Sequence, residues 1–499
     1  MREDFTNEIV TESLNEAGIL VEKPSEIRRR FDDLQFDSRK VTKKNTLFVV
    51  KGAFKIEYLT ASLLDKISGI VTSRTEKIDL PNLPHWIVSN SQIALAVLSA
   101  EFFGHPEKKL KILGITGTKG KTSSTYMAYS LLDRLTNHQT AMFSTIDTFL
   151  GRGIKFKSEL TTPESYELFS NMKKALDNGN KYLVMEVSSQ SYLKNRVFGI
   201  HFKVGAFLNI SPDHIGINEH PTFADYLAHK KMLAENSDVF VSNIDDAHGQ
   251  EFIDHAKSFG AKTVSVSENK KADVNFHIKK ADLDESVFYL TEKGNSQEFL
   301  LDIPGVFNIY NASVAIAMVR EMGFKPEKAK KALAELQIPG RMVKIKTKSH
   351  GLIIVDYAHN GQAVTTLLTF LKSQHQGGKI IIVLGSPGDK GEDRRSQFGE
   401  VISKFVDVAY LTTDDPGTED PHQINNQIRK AISNPDVELH EELDRSKAIQ
   451  EAIKKANIND LVVLAAKGED AFQKTNHVDV PYLGDKKVAE EFLAEIEKV

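Results

Sequence analysis

The chain has 499 residues, 40% of them hydrophobic and 26% charged, with a formal net charge of -4; it is too long for one hydrophobic core and too near neutrality for a general nucleic-acid or membrane-surface binder. It contains no cysteine, which excludes disulfides, iron–sulfur clusters, thiolate zinc sites and cysteine nucleophiles, so any metal must rest on oxygen or imidazole ligands. The opening MREDFTNEIV is charged where a signal peptide is apolar, and no apolar run approaches the roughly 18 residues that span a bilayer, so a cytoplasmic location without membrane insertion is expected.

Taken in chain order, pattern breaks suggest three α/β segments, 1–105, 106–338 and 339–499. The first has short apolar runs, TLFVV (Thr46 to Val50) and HWIVS (His85 to Ser89), and ends in a helical pattern followed by GHPEKK. The second opens with a strand at Leu110 to Ile115, and YLVMEV, VGAFL and DVFVSN then alternate with helical runs, as in a parallel sheet covered by helices. A less regular stretch around 260–305 suggests a small antiparallel patch. After IPGRM the alternation resumes through LIIVD, KIIIVLG, VAYLTTDD and LVVLAAKG, each ending in polar or glycine residues, where open α/β sheets gather ligands. The expected architecture is therefore a small α/β N-terminal domain, a central P-loop ATPase-like parallel sheet and a C-terminal Rossmann-like domain.

The most informative stretch is LGITGTKGKTSS, Leu113 to Ser124. A strand feeds a glycine turn, and Met127, Leu131 and Leu135 mark the face of a following helix. Gly117 and Gly120 let backbone N–H groups approach a polyphosphate, Lys121 reaches its outer phosphates, and Thr122 offers a hydroxyl to Mg²⁺; Thr118 and Ser123 belong to the same loop. The interval from Gly114 to Gly120 is one residue longer than the usual formula, yet Gly-Lys-Thr stands at the required strand-to-helix junction, so ATP is the expected ligand. Glu186, at the end of the MEVSSQ strand, either holds Mg²⁺ opposite Thr122 or is an ordinary solvated strand-end carboxylate. His214 in NISPDHIG and Lys230 after Tyr226 have spacings that by themselves indicate only a hydrogen-bonded histidine and a solvated lysine.

Together, TGTKGKT, TTPES, MEVSSQ, NISPDH, YLAHK, PGVFNIYN, PGRM, DYAHN and TTDDPGTEDP occur in the order of the Mur ligases, the ATP-dependent amide ligases of peptidoglycan precursor synthesis, and the resemblance spans essentially the whole chain. DSRKV and Thr161 to Pro163 resemble the branch that adds the third residue of the stem peptide, the UDP-N-acetylmuramoyl-tripeptide synthetases. This resemblance implies that Lys121 and Thr122 take the ATP phosphates and a first Mg²⁺ with Glu186. It places His214 and Lys230 on a second Mg²⁺, Lys230 as a carbamate (N6-carboxylysine). Asn308 and Asn311 resemble nucleotide-contacting asparagines, Arg341 a phosphate-side arginine, and Asp356 a ribose-binding acid. Ser38 is implied at the uridine end of the substrate UDP-N-acetylmuramoyl-L-alanyl-D-glutamate, and Thr161, Thr162, Ser188 and Arg196 at its muramoyl dipeptide. A monomer is expected.

Enzymes of this branch that add meso-diaminopimelate carry Asp-Asn-Pro-Arg, whose arginine clamps the distal carboxylate; here the residues are Asp414, Asp415, Pro416 and Gly417, a sequence that also makes a turn. The acidic pair, with Asp470 in place of the family's amine-binding glutamate, favours a side-chain ammonium, so L-lysine is the expected amino acid, with ornithine or another diamino acid such as meso-diaminopimelate next. Other departures are AKGED for Gly-Lys-Gly-His-Glu, Lys119 before Gly-Lys-Thr, Gln190 for histidine, Asn360-Gly361 for Thr-Pro, and FKIEYL where Asp-Gly is usual. The rival readings are a folylpolyglutamate synthetase, a weakly active binding paralogue, and a generic P-loop kinase. About a hundred residues before the phosphate loop argue against the first.

Overall fold

The computed structural model describes residues 4–24, 29–52, 54–73, 83–216, 219–375, 377–389 and 391–497. Its backbone divides into two compact units, Met1–His277 with Phe288–Phe299 and Phe307–Leu333, and Ile278–Val287 with Leu300–Val306 and Ala334–Val499.

The first unit begins with a five-stranded sheet of β1 (Leu20–Glu22), β2 (Asp33–Gln35), β3 (Thr46–Val49), β4 (Ile67–Thr72) and β5 (His85–Val88), in the order β1-β5-β4-β3-β2. Only β1 runs antiparallel to its neighbour. TLFVV and HWIVS thus form β3 and β5 as expected. Trp86 is fully buried here against Phe31, and Phe5 meets Phe102 edge-on at 5.2 Å, so the helices Asn7–Glu16 and Ser91–Phe102 close one face.

The second sheet supplies the phosphate loop. Its strands are β6 (Lys111–Thr116), β7 (Thr140–Phe143), β8 (Asp147–Phe149), β9 (Lys155–Lys157), β10 (Tyr182–Glu186), β11 (Phe202–Phe207), β12 (Ser237–Asn243) and β13 (Lys262–Ser267), ordered β13-β12-β11-β6-β10-β7-β8-β9. The pairings from β13 to β7 are parallel, and β8 and β9 add an antiparallel edge. Strands β14 (Val274–Ala281), β15 (Ser286–Glu292) and β16 (Asn295–Leu301) follow, and the division between the units passes through them. β6 is central, covered on both faces, which is why its sequence is a continuous apolar run. Gly114 lies inside β6, where a Cβ would meet the Phe202 ring at 2.6 Å. It is a packing glycine, so the loop proper is Gly117 to Gly120 and the apparent extra residue in the motif has a structural origin.

The second unit holds a six-stranded sheet of β17 (Val343–Lys346), β18 (Leu352–Asp356), β19 (Ile380–Leu384), β20 (Val408–Leu411), β21 (Glu438–Glu441) and β22 (Leu461–Ala465), ordered β17-β18-β22-β19-β20-β21. All its pairings are parallel except β17 with β18. The four strands read from LIIVD, KIIIVLG, VAYLTTDD and LVVLAAKG are its buried centre. A hairpin of β23 (Phe472–Thr475) and β24 (Val478–Pro481) follows β22. Asn360 caps the helix Gly361–Gln374 through Ala363 N–H at 2.9 Å, and a Cβ on Gly361 would meet Gln397 at 2.4 Å. The second contact explains glycine where proline is usual, while the cap is one that threonine makes as well. Among the described residues no helix is long and apolar enough to cross a membrane.

Candidate active site

The loop after β6 is held from the adjacent strand end. The Phe207↔Thr116 register sets the segment after β11 beside it, and Asn209 grips it three ways. Its carbonyl accepts Thr118 N–H at 2.9 Å, its Oδ1 accepts Lys119 N–H at 2.9 Å, and its Nδ2 donates to Lys119 O at 3.0 Å. The NISPDH motif holds Asn209, but nothing local in it marks this residue, because its partners are some ninety positions away. Gly120 has φ 84°, in the left-handed region, and a Cβ there would lie 2.3 Å from Asn311 Oδ1. Asn311 therefore packs on the bare face of the glycine that starts the helix Lys121–Leu135. Asn308 lies one turn earlier on the helix Val306–Glu321, also buried. Thr118, Thr122 and Ser123 are buried at the loop and first turn.

Two lysines meet at one backbone oxygen. Lys121 Nζ donates to Gly117 O at 2.9 Å and Thr118 O at 3.2 Å, and Lys230 Nζ donates to the same Gly117 O at 2.9 Å. Lys230 is only 2% exposed, and lies over the Tyr226 ring at 4.6 Å; Tyr226 OH pairs with Thr118 Oγ1 at 3.1 Å. Burial, with Lys121 and Lys119 nearby, pushes the Lys230 ammonium well below the ordinary lysine pKa. The solvated lysine suggested by spacing alone is thus excluded. Asp213 pairs with Lys119 at 3.3 Å, and although burial works against it, Lys119 and His214 hold its carboxyl below the usual value. His214 itself is half-exposed with φ 54°, its Nδ1 2.8 Å from Glu219.

The parallel register Glu186↔Ile115 sets Glu186 beside the start of the loop. It is 1% exposed, not a solvated strand-end carboxylate, and accepts Thr145 N–H at 2.7 Å and Thr145 Oγ1 at 3.0 Å. Thr145 Oγ1, its proton on Glu186, pairs with Thr161 Oγ1 at 3.1 Å, while Thr162 Oγ1 donates to Glu186 O at 3.0 Å and accepts Ser188 N–H at 3.2 Å. The expected residues Thr161, Thr162, Ser188 and Glu186 are therefore joined in one hydrogen-bonded cluster. Arg196 joins it through Thr162 O at 3.3 Å and Glu164 Oε1 at 2.9 Å, and Glu164 also pairs with Lys51. Glu164 and Lys51 were absent from the sequence reading; the Glu in TTPES was the available signal.

In the same unit a cavity of ≈ 270 Å³ opens at the carboxyl ends of β3, β4 and β5, lined by Val50, Gly52, Ser73, Ser89, Asn90, Ser91 and Gln92. Asn90 caps the helix behind it. Ser38 is not part of this lining; it begins the single turn Ser38–Lys40, capped by Asp37.

In the second unit, Asp356 ends β18, and its two oxygens accept Met342 N–H at 2.9 Å and Ala358 N–H at 2.8 Å, so it ties the PGRM and DYAHN loops together. Burial raises its pKa, against the pull of Arg341. Arg341 lies over the Tyr357 ring at 5.5 Å. Gly340 and Gly468 each have positive φ, and a Cβ on either would strike that ring. Asp414, Asp415 and Asp470 do converge, but around the chain's own Lys467, at 3.6, 2.5 and 4.0 Å from its Nζ. Lys467 is 2% exposed and had no place in the sequence reading. Burial raises the Asp414 carboxyl pKa, with Lys467 and Arg445 opposing. Gly417 has φ 59°, and a Cβ there would lie 2.0 Å from Asp389 Oδ2. The left-handed backbone here favours glycine where the diaminopimelate-adding branch has arginine, and any side chain would have to displace Asp389.

A strand, a glycine turn holding a lysine at a helix start, and a buried carboxylate on the neighbouring parallel strand define a phosphate-loop nucleotide-binding protein. Comparison narrows the class. The Mur ligase middle-domain family model matches residues 115–319, and the Mur ligase glutamate ligase domain model matches 340–468. A UDP-N-acetylmuramyl-tripeptide synthetase of Ligilactobacillus salivarius is 45% identical over 503 residues, covering 97% of this chain and 98% of the relative. A UDP-N-acetylmuramoyl-L-alanyl-D-glutamate--L-lysine ligase of Streptococcus pneumoniae is 39% identical, covering 93% of each. The solved structure of a UDP-N-acetylmuramoyl-L-alanyl-D-glutamate--2,6-diaminopimelate ligase superposes with TM-score 0.66 at 23% identity, over 96% of this chain and 98% of that one. The chain belongs to the Mur ligase family, in the group of tripeptide synthetases.

Proposed function

We propose that the chain is the ATP-dependent ligase that joins L-lysine to UDP-N-acetylmuramoyl-L-alanyl-D-glutamate. The observation that carries this reading is the convergence of Lys121 and the buried Lys230, whose pKa burial lowers, on Gly117 O, with the loop flanked by Glu186. ATP phosphorylates the free carboxylate of the D-glutamyl residue, and the α-amine of lysine attacks the acyl phosphate, releasing phosphate as the amide forms. Lys121 offsets charge on the transferred phosphoryl group, and the backbone N–H groups of the loop orient the polyphosphate.

The donor set suits a hard cation. Thr122 and Glu186 would hold one Mg²⁺, and His214 with carbamylated Lys230 a second; Mg²⁺ when bound neutralises phosphate charge. Two of the carboxylate and hydroxyl donors, Glu186 and Thr122, are buried beside the loop and present oxygen ligands. A neutral Lys230 amine is the form that adds to CO₂. Its nitrogen forms the N–C bond, one C=O π pair moves onto oxygen, and the nitrogen's proton leaves to solvent, converting a cationic side chain into an anionic oxygen ligand.

Arg196 and Lys51 would receive the dipeptide carboxylates, and the cavity at the ends of β3 to β5 the uridine diphosphate end. Asn308, Asn311, Arg341 and Asp356 would contact the nucleotide. The three acidic residues around Lys467 outnumber its single positive charge, which favours an incoming ammonium over a second carboxylate. We place the enzyme in the cytoplasm, as a monomer. Incubation with ATP, Mg²⁺ and UDP-N-acetylmuramoyl-L-alanyl-D-glutamate across lysine, ornithine, meso-diaminopimelate and aspartate, followed by phosphate release and product mass, tests this reading. A lysine adduct is expected. A preference for diaminopimelate refutes the specificity, and no adduct with any amino acid refutes the activity.

A further inference from the structure

We infer that His220 is a positioning residue that sets Lys230 and His214 against the phosphate loop, an inference that rests on the metal-binding reading above. His220 is fully buried just before the helix Phe223–Glu235, and every polar group it has is engaged. Its Nε2 pairs with Ser189 Oγ at 2.9 Å, three residues beyond Glu186, and its Nδ1 pairs with Asp225 Oδ2 at 2.7 Å in the first turn of the Lys230 helix. Its backbone N–H donates to His214 O at 3.1 Å, and its carbonyl accepts Gly216 N–H at 3.0 Å. The segments that carry Glu186 and Lys230 therefore meet at one imidazole, and the segment that carries His214 is tied to the backbone of the same residue.

The same helix reaches the loop one turn later. Tyr226 meets the His220 ring edge-on at 5.2 Å and bonds Thr118, and Lys230 bonds Gly117 O. Freeing the helix start would let both of those contacts slide together. A nucleophilic serine dyad is excluded by geometry, since Ser189 is 3% exposed and His220 fully buried, leaving no path for a substrate. His229, whose Nδ1 lies 3.3 Å from Asp225 Oδ2, brings a third donor within 4.8 Å of the other two, which makes a transition-metal cluster the competing interpretation. Hydrogen bonds account for both ring nitrogens of His220 without one.

The test uses Ser189→Ala, which removes only the hydroxyl, beside His220→Asn. Groups that orient metal ligands typically change metal affinity or activity about 10–100-fold. Both variants are expected to raise the Mg²⁺ concentration for half-maximal ligation about tenfold, with KM for lysine and for the nucleotide sugar within about twofold. The carbamate signal from isotopically labelled bicarbonate should weaken in parallel, and excess Mg²⁺ should restore turnover. Unchanged Mg²⁺ dependence and carbamate signal in Ser189→Ala would overturn the inference. So would a parallel rise of all three constants with a falling melting temperature, or one-to-one Zn²⁺ binding that Asp225→Asn abolishes while Mg²⁺-dependent ligation is unaffected. A wild-type chain without ligation removes the underlying activity, a result separable from an active wild type with indifferent variants.

Discussion

Replacing Lys467 by methionine deletes a cation that is 2% exposed and lies 2.5 Å from Asp415, 3.6 Å from Asp414 and 4.0 Å from Asp470. Methionine keeps most of the apolar stem, so the loss is chiefly one of charge. Breaking a buried pair by removing one partner costs about 3–5 kcal/mol, because the remaining charge stays desolvated. In a unit of roughly 150–250 residues, about 3 kcal/mol corresponds to a melting temperature lower by about 6–12 °C. The pH dependence gives the sharper test. Burial already raises the Asp414 pKa in the folded protein, and Lys467 is the leading opposing influence, so the variant raises it further. A folded-state pKa above the unfolded one gives stability that is fully present below the unfolded pKa and lost as pH rises through the folded value. The deficit of Lys467→Met against the wild type should therefore be largest near neutrality and shrink toward about pH 4, where an ordinary Asp protonates. Thermal melts of both proteins across this range measure it, and a second change, Asp414→Asn, should recover part of the loss at neutral pH. A gap that is absent, or the same at every pH, would refute the electrostatic account of this cluster.

Four further outcomes are expected. Lys121→Ala should lower ADP formation by at least about 10²–10³-fold while stability stays within about 1 kcal/mol, measured by coupled assay and melting, since the side chain contributes charge at the loop more than packing. Gly120→Ala should destabilise by about 1–2 kcal/mol from the left-handed backbone alone, and calorimetry should show weakened ATP binding because the new methyl must displace Asn311. Ala466→Gly relieves a residue at φ 80° and should raise the melting temperature, by up to about 1 kcal/mol of stability. Gly417→Arg should not create a diaminopimelate-adding enzyme; the φ of 59° and the contact with Asp389 predict lower melting temperature and lower turnover with every amino acid.

The strand-by-strand course of the chain was legible because parallel strands buried on both faces must be apolar runs, and YLVMEV, KIIIVLG and LVVLAAKG are such runs. Strand order was not. Nothing local in MEVSSQ tells that β10 lies next to β6, and it is this pairing, not the motif, that puts Glu186 at the loop. The same limit hid Asn209, Glu164 and Lys467, each of which acts on partners far away in sequence, and it disguised Gly114 as part of a motif when it is there to admit Phe202. The Asp-Asp-Pro-Gly segment reads from sequence as a change of pocket charge and as a turn, and the turn is found. The structure adds a backbone reason, because Asp389 Oδ2 accepts Thr418 N–H at 2.9 Å and occupies the place an arginine stem would need at Gly417.

That distinction bears on how amino-acid choice is written into this fold. If the arginine were a side chain carried on an indifferent loop, one substitution would exchange the two specificities. Here the segment is tied by Gly388 N–H to Asp415 O at 2.8 Å, by Gly417 N–H to Lys474 O at 3.1 Å and by Asn476 N–H to Gly417 O at 2.7 Å, so the path of the backbone and the hairpin β23–β24 are set together. Lys474 N–H also donates to Asp415 Oδ1 at 2.9 Å, the oxygen that Lys467 neutralises. The acidic residues, their internal cation and the glycine turn are thus one hydrogen-bonded assembly. On the proposed role of this segment in amino-acid choice, a change of specificity requires the hairpin, Asp389 and Gly417 to move as a set, and single exchanges at Gly417 should cost stability before they alter preference.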